Sequence, residues 1–193
     1  MRNEYVEARV EARAIIERSE SEPERWSYQG FGMLRYYITE SRRLHIWNPS
    51  RRVDAVSDVH THPWNFRSTV LCGALVDRVF VEREGVSPFM RQTIACGEGG
   101  GLVGDPCPVE LAQSRSTLHA EGASYSHPAS AIHRSEILEP GTVTVCVREF
   151  LEDTEHAFVY WPRREEWGSA EPRPATLEEI DAFTNAALEI WDR

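Results

Sequence analysis

The sequence lacks the features of a secreted, membrane-spanning or disulfide-stabilised protein. Its 193 residues include four cysteines, none of them in a C-x-x-C pair, and so few over this length do not make a disulfide scaffold. No run approaches the roughly 18 apolar residues that cross a bilayer. The opening segment MRNEYVEARVEAR also lacks the apolar core of a signal peptide. We therefore expect a soluble, cytoplasmic protein with no membrane partner.

Positive charge is scarce as well. The chain has 21 arginines and no lysine against 31 acidic residues, which gives a formal net charge of −10. Nucleic-acid backbones and anionic membranes attract basic surfaces, so we expect neither as a partner. A small anionic substrate is compatible with this composition, because a local arginine reverses the sign of the potential inside a pocket.

The glycine-rich stretch ACGEGGGLVGDPCP, residues 95–108, invites comparison with a phosphate-binding loop. It lacks the lysine of such loops, and it does not lead from a strand into a helix. We therefore predict a long, flexible loop there, without a nucleotide-binding role.

Hydropathy patterns divide the chain into a β-rich centre with a helix at each end. Between residues 26 and 160, short β-branched and aromatic runs such as MLRYYI and TVTVCVREF alternate with turn residues. This pattern favours an all-β sandwich or barrel over β-α-β units. Residues 3–18 place apolar side chains at helical spacing. Near the carboxyl terminus, Thr176 and Glu179 are spaced as a capping box at the start of a second helix.

We predict a single domain from these segments. The amino-terminal helix occupies residues 1–22, the β barrel residues 26–161, and a linker with the carboxy-terminal helix residues 162–193. The hydrophobic fraction of 41% is large enough for one core in a chain of this length.

The most unusual stretch is DVHTHPWNF, residues 58–66, which holds two of the seven histidines one residue apart. On a β-strand, residues i and i+2 point to the same face, so His60 and His62 would project side by side. Their imidazoles would then be near enough to share one metal ion. The alternative interpretation of the pair alone is two solvent-facing histidines on a strand.

Two further stretches favour the first of these interpretations. STVLCG ends in Gly73, seven residues after Phe66. GASYSHPASAIH contains Gly122, Pro128 and His133, which are separated by five and four residues. Together with the histidine pair, these stretches resemble the two sequence motifs of the cupin family, in the right order and across most of the predicted β region. The resemblance implies an all-β cupin fold, a double-stranded β-helix (jelly-roll) barrel, with the predicted α-helices at its two ends.

The resemblance also implies that His60, His62 and His133 hold one divalent metal ion inside the barrel. The glutamate that is usual in the first cupin motif falls on Phe66, or on Arg67 at the longer spacing, and neither side chain binds a metal. Three neutral imidazoles remain, with open positions for water, substrate or dioxygen. They leave the charge of the ion uncompensated, which favours an anionic co-ligand.

Imidazole ligands alone do not identify the metal. Within cupins, three-histidine sites are typical of thiol dioxygenases of the cysteine dioxygenase type, which implies iron(II); zinc, nickel, manganese and copper are the alternatives. Arg35 and Trp47 fall near matching places, and the resemblance implies that the arginine clamps a substrate carboxylate. Phe66 stands where the mammalian type has its crosslinked cysteine. HTHPWNF and IHRSE resemble small bacterial and phage cupins that have no known activity.

Four more residues are candidates for the pocket. Tyr125 and His127 are candidate catalytic groups, with a half-buried strand tyrosine and a loop histidine as the alternatives, since Pro128 interrupts the strand. Arg148 in VTVCVREF is either an inward anion clamp or an outward ion-paired residue. Trp64 is expected to pack at the mouth of the barrel, where it would shape substrate access.

The sequence thus favours a mononuclear non-haem iron dioxygenase that uses dioxygen on a small anionic substrate, a thiol or an enolisable acid. Arg35 or Arg148 would bind the carboxylate of the substrate. The alternatives are a redox-neutral metal cupin, such as an isomerase, lyase or hydrolase, and a non-catalytic ligand-binding cupin. Cupins often pair through barrel edges, which implies a homodimer, although the terminal helices could instead cover those edges within one subunit.

Overall fold

The computed structural model describes residues 2–53, 56–86, 88–95, 101–150, 156–164 and 172–193. Two α-helices and thirteen strands lie within these ranges. The helices are α1 (Arg2–Glu17) and α2 (Leu177–Trp191). The strands are β1 (Trp26–Gln29), β2 (Met33–Tyr37), β3 (Arg42–Trp47), β4 (Val59–His60), β5 (Trp64–Cys72), β6 (Ala74–Arg83), β7 (Phe89–Ala95), β8 (Leu102–Ala120), β9 (Ser124–His127), β10 (Ile132–Ile137), β11 (Thr142–Phe150), β12 (His156–Pro162) and β13 (Arg173–Pro174).

The strands form two antiparallel sheets. The first has the order β13-β1-β2-β3-β11-β5-β9, and the second has the order β10-β4-β12-β7-β8-β6 and closes on itself, because β10 pairs with both β4 and β6. From β3 to β6, and again from β8 to β12, the chain changes sheet at every strand. The result sets β3-β11-β5-β9 against β4-β10-β6-β8, which is the strand order of a jelly roll. The predicted all-β fold, a double-stranded β-helix (jelly-roll) barrel with a helix at each end, is confirmed.

Both helices pack on the outer face of the first sheet. Strand side chains on that face, such as Leu34 and Leu44, join Ile16 of α1 and Phe183 of α2 in one apolar cluster. These four side chains are 2% exposed or less, and burying each contributes about 2 kcal/mol. The main apolar core of the described residues therefore lies between the first sheet and the helices. The opposite face of that sheet is left to line the interior of the barrel.

α1 ends at Glu17, within the predicted segment 1–22, and α2 occupies Leu177–Trp191 of the segment 162–193. α2 starts with the predicted capping box: Thr176 Oγ1 accepts a hydrogen bond from the Glu179 amide (3.2 Å), and the Glu179 carboxylate accepts one from the Thr176 amide (2.9 Å). Neither helix is both long and apolar enough to cross a membrane, among the residues that the structure describes.

The prediction of a loop across residues 95–108 was wrong for its second half. Residues 96–100 lie outside the described residues, but β8 already starts at Leu102 and pairs with β7. The pairing passes from Thr93↔Val103 to Arg91↔Cys107, so a bulge holds the three residues between them on β8. A bulge tolerates proline, which has no N–H for the ladder, and the strand therefore continues past Pro106.

Candidate metal centre

Strands β4 and β10 bring the three predicted histidines together. His60 on β4 lies directly opposite His133 on β10. His62 follows β4, and its amide donates a hydrogen bond to the Ala129 carbonyl (3.2 Å), just before β10 begins. One cross-strand pair and one i, i+2 step therefore place three imidazoles side by side.

The ring nitrogens of these three residues, which we call the histidine cluster, converge on one point. One possible ligand nitrogen from each of His60, His62 and His133 lies within 4.8 Å of the others. Nε2 of His62 lies 3.1 Å from Nε2 of His133. Two nitrogens at about 2.1 Å from one tetrahedral ion are roughly 3.4 Å apart. The cluster therefore fits a single divalent metal ion.

Hydrogen bonds on the far side of two rings set their orientation. Nδ1 of His60 lies 2.9 Å from the Asp58 carbonyl oxygen, and Nδ1 of His133 lies 3.2 Å from Oδ1 of Asp77. Both oxygens accept, so each Nδ1 carries the proton and each Nε2 presents its lone pair to the centre. Such contacts fix the tautomer of a metal-binding histidine and raise its basicity.

Asp77 on β6 is the most buried carboxylate near the cluster, with 1% of its surface exposed. Its second oxygen lies 2.9 Å from Nε2 of His127, so the carboxylate joins His127 to His133. Burial acts to raise the pKa of Asp77, but the hydrogen bonds from His127 and His133 outweigh it and hold that pKa below its ordinary value. A negative charge therefore sits directly behind one of the candidate ligands.

A second group with metal-binding chemistry consists of Asp77, His127 and His133. Its donor atoms are already joined by hydrogen bonds of 2.9 and 3.2 Å, so it is satisfied without an ion. We therefore assign it a supporting part behind the histidine cluster. Sequence reasoning missed Asp77, although an aspartate inside the apolar run ALVDRVFV was a sign of a buried role.

All three candidate ligands are held in the neutral form. Burial, reinforced by the neighbouring imidazoles, lowers the pKa of His60 to about 4 and the pKa of His62 well below its ordinary value. Burial also lowers the pKa of His133, although the hydrogen-bonded Asp77 acts in the opposite direction. Because histidine binds metals as neutral imidazole, the cluster is in its ligating form at neutral pH.

The histidine cluster borders a cavity of about 1060 Å³ lined by both sheets. Much of its wall is aromatic, with Phe31, Trp47, Trp64, Phe66 and Phe158. Trp64 stacks on His62 with 4.1 Å between ring centroids, and the ring of Phe66 lies 5.0 Å from that of His62 and 5.3 Å from that of His133. An apolar ring thus occupies the place of the usual cupin carboxylate, while Arg67 is exposed.

Three arginines from the first sheet line the same cavity, and we call them the arginine cluster. They are Arg35 on β2, Arg43 on β3 and Arg148 on β11. Arg35 and Arg148 are 6% and 7% exposed. Both arginines that the sequence suggested as anion clamps therefore face inward. Arg43, which the sequence analysis did not single out, lies beside them because it pairs with Tyr37 across β2 and with Cys146 across β11.

Comparisons with known proteins were made with this geometry in hand. No protein-family model matches the chain, and no curated protein matches it. Among solved structures, the structure of KdgF from Halomonas sp. is similar, with 15% sequence identity and a TM-score of 0.35. The match covers 72% of this chain and 88% of that one. At this level the similarity says nothing about activity.

The two predicted catalytic residues lie in different surroundings. Tyr125 on β9 lines the cavity, and burial raises its pKa to about 12, so it is a neutral hydroxyl at neutral pH. His127 is 4% exposed, is not among the residues that line the cavity, and has its Nε2 hydrogen-bonded to Asp77. The structure therefore places His127 next to His133, joined to it through Asp77 and outside the set of residues that line the cavity.

Proposed function

We propose that the protein is a metal-dependent enzyme, a mononuclear non-haem iron(II) dioxygenase that acts on a small anionic thiol or enolisable acid. The observation that carries the proposal is the convergence of three neutral imidazole nitrogens on an open cavity. His60, His62 and His133 supply them, and their ligand atoms lie within 4.8 Å of one another. Three protein ligands leave positions for substrate, as catalytic sites do and closed structural sites do not.

The charge of the site favours an anionic substrate. Three imidazoles do not compensate a dipositive ion, and Phe66 stands where a carboxylate ligand would have done so. A substrate thiolate or enolate would complete the charge balance. The inward-facing Arg35 or Arg148 is suited to hold the carboxylate of the same molecule, since the guanidinium fork matches a carboxylate.

The residues around the centre would divide the work of catalysis. Bound iron(II) would supply adjacent coordination positions and electron transfer between an anionic substrate and dioxygen. Asp77 would hold the His133 ring in its ligating tautomer. Trp64 and Phe66 would exclude water from the reacting atoms, because they cover the histidine rings with apolar surface. No side chain is needed as a strong base if coordination lowers the pKa of the substrate.

A redox-neutral Lewis-acid enzyme is the second candidate. The observation that favours it is the hydrogen bond between Asp77 and His133 (3.2 Å), since a carboxylate behind a ligating histidine is also found in zinc sites. Three histidines with an open fourth position are likewise a catalytic zinc arrangement. The identity of the bound metal separates the two candidates.

Metal analysis of freshly purified protein tests the proposal. We expect one iron per chain, and oxygen uptake with at least one compound from a panel of thiols and keto acids. Both should be lost when His60, His62 and His133 are replaced by alanine, and both should be retained in the matched control His156→Ala, which removes an exposed histidine. Stoichiometric zinc or nickel with activity in the absence of oxygen would favour the second candidate. No metal after reconstitution would favour a ligand-binding protein without catalysis.

A further inference from the structure

The arginine cluster has a compact arrangement around two aromatic rings. The guanidinium carbons of Arg35 and Arg43 lie 5.7 and 4.8 Å from the centroid of the Tyr37 ring. Those of Arg43 and Arg148 lie 5.8 and 5.3 Å from the centroid of the Trp64 ring. The three side chains therefore bring three positive charges to one region of a protein whose net charge is −10.

Two of these guanidinium groups have unused hydrogen-bonding capacity inside the protein. Arg35 is 6% exposed, and although its Nε donates to the Ser27 hydroxyl (3.2 Å), its Nη2 is buried without a partner. Nε of Arg43 is also buried without a partner. Among the described residues, neither Arg35 nor Arg43 forms an ion pair with a carboxylate.

The third arginine, Arg148, adds to the positive charge of this region. Arg148 donates to the backbone carbonyl of Glu40, a neutral acceptor. Burial is the main cause that lowers the pKa of Arg35 and of Arg148 to about 10, and repulsion from Arg43 adds to it. All three side chains are still cationic at neutral pH. A buried cation without a counter-ion is unfavourable, so an anion beside Arg35 and Arg43 would stabilise the folded protein.

We propose that the arginine cluster binds a dianionic group, a phosphate ester or a pair of neighbouring carboxylates, at one end of the substrate. A single carboxylate satisfies one guanidinium fork and would leave the other of Arg35 and Arg43 without a counter-ion, whereas a dianion offers enough oxygens and charge for both. As a statement about the substrate, this inference rests on the proposed function. As a statement about anion binding, it requires no metal.

The distance between the two clusters limits the size of the ligand. Trp64 stacks on His62, and its ring centroid also lies 5.8 and 5.3 Å from the guanidinium carbons of Arg43 and Arg148, so the candidate metal ligands and the cations adjoin the same indole ring. A molecule with a dianionic group and a metal-binding donor a few bonds apart would reach both. The substrate expected from the geometry is therefore compact and carries at least two negative charges before it meets the metal.

Isothermal titration calorimetry with three probes tests the proposal: inorganic phosphate, malonate and acetate. At least one of the two dianions should bind tenfold or more tightly than acetate, and whichever of phosphate and malonate binds better identifies the kind of dianion. This binding should fall at least tenfold in Arg35→Gln and in Arg43→Gln. It should be unchanged in Arg13→Gln, which removes an α1 arginine that pairs with Glu17 and Asp192 away from the cavity.

The triple alanine variant of the histidine cluster separates this proposal from the proposed function. If it binds the dianion as the wild type does, the anion site is independent of the metal and stands even if no metal is ever found. If it loses dianion binding, the anion was bound to the metal and the arginine site is wrong. The proposal is equally overturned if dianions bind no better than acetate, or if Arg35→Gln and Arg43→Gln bind like the wild type.

A thermal melt distinguishes a specific loss of anion binding from a loss that is caused by misfolding of the variant. Because Arg35→Gln removes an uncompensated buried charge, its melting temperature in the absence of anions should be at or above that of the wild type. Phosphate or malonate should raise the melting temperature of the wild type and should not raise that of Arg35→Gln. A variant that melts lower and still gains stability from the dianion would contradict the proposed role of Arg35.

Discussion

The histidine cluster and the arginine cluster share one cavity but are completed in opposite ways. In the histidine cluster, Nδ1 of His133 and Nδ1 of His60 already have oxygen acceptors, and the rings are neutral. In the arginine cluster, the charge is present but Arg35 Nη2 and Arg43 Nε have no acceptor. The histidine cluster offers lone pairs, and Arg35 and Arg43 of the arginine cluster offer cationic N–H donors, so the two halves of the cavity suit ligands of opposite charge.

The two sheets divide these tasks. The candidate metal ligands come from β4, from β10 and from His62, which directly follows β4, and the second sheet also supplies Asp77 from β6. The cations come from β2, β3 and β11 of the first sheet, whose other face is sealed by the helices. Each cluster is therefore built on paired strands, which hold side chains more rigidly than loops do. The variants below test whether the clusters are as independent as this division indicates.

The largest effect is expected from removing one ligand of the histidine cluster. His62→Ala deletes a nitrogen that lies 3.1 Å from its counterpart on His133, so metal content should fall from near one per chain to below about a tenth, because two imidazoles do not hold a divalent ion against buffer. Phosphate and malonate binding should stay within twofold of wild type. Metal analysis and calorimetry on the same sample check both statements, and a parallel loss of both ligands would show that the anion binds to the metal and not to the arginine cluster.

The next effect concerns the support behind His133. Asp77→Asn removes the carboxylate charge and disturbs the hydrogen bonds to His133 and His127, and it should weaken metal binding roughly 10- to 100-fold. Asp58→Asn is the matched control, because Asp58 contacts His60 through its backbone carbonyl, which the substitution keeps. Competition with a metal indicator measures both affinities. Equal losses in the two variants would mean that general destabilisation, and not the Asp77 contact, is responsible.

A smaller effect of opposite sign is expected on stability in the arginine cluster. Arg35→Met replaces a buried cation, close to two others, with an apolar chain, and it should stabilise the anion-free protein by about 1 kcal/mol. For a chain of this size that corresponds to a rise in melting temperature of roughly 2–4 °C. His133→Ala, in contrast, leaves Asp77 without one of its partners, and this variant should have a lower melting temperature than the wild type. Thermal denaturation in a buffer of bulky monovalent ions measures the melting temperatures of both variants. If Arg35→Met is less stable than the wild type, the charge of Arg35 is compensated in the folded state.

The histidine cluster was predictable from sequence because two of its members lie two residues apart and the third lies in a recognisable motif. The i, i+2 spacing in HTH and the motif around His133 need only strand periodicity and the cupin resemblance to place the three side chains together. The all-β jelly roll followed from the same regularities. Position 66 was also interpretable, since a phenylalanine cannot replace a ligating carboxylate.

The remaining features depend on pairings that no local pattern reveals. Arg43 follows Arg42 directly, and only its registers with Tyr37 and Cys146 decide which of the two arginines faces inward. Asp77 meets His133 because β6 pairs with β10, two strands that are far apart in the chain. Pairing with β7 likewise carried β8 through a glycine- and proline-rich stretch that resembled a loop. Where tertiary contacts override local propensity, the sequence indicated that a polar or cationic side chain was important but did not predict where in the fold it lies.

The smallest predicted effect uses Cys146 as a probe of the positive charge. Burial raises the pKa of this thiol to about 11, while Arg43 and Arg148 act to lower it. Below that pKa the thiol is protonated and unreactive, so iodoacetamide at pH 8 should modify the half-exposed Cys107 well before Cys146. Arg43→Gln keeps a polar side chain but removes a cation, so the pKa should rise further and the modification of Cys146 at pH 9 should slow several-fold relative to Cys107 in the same sample. Peptide mass spectrometry measures the two rates. An unchanged ratio would show that the arginines do not set the potential inside the cavity, and the contrast between the two clusters would then rest on hydrogen bonding alone.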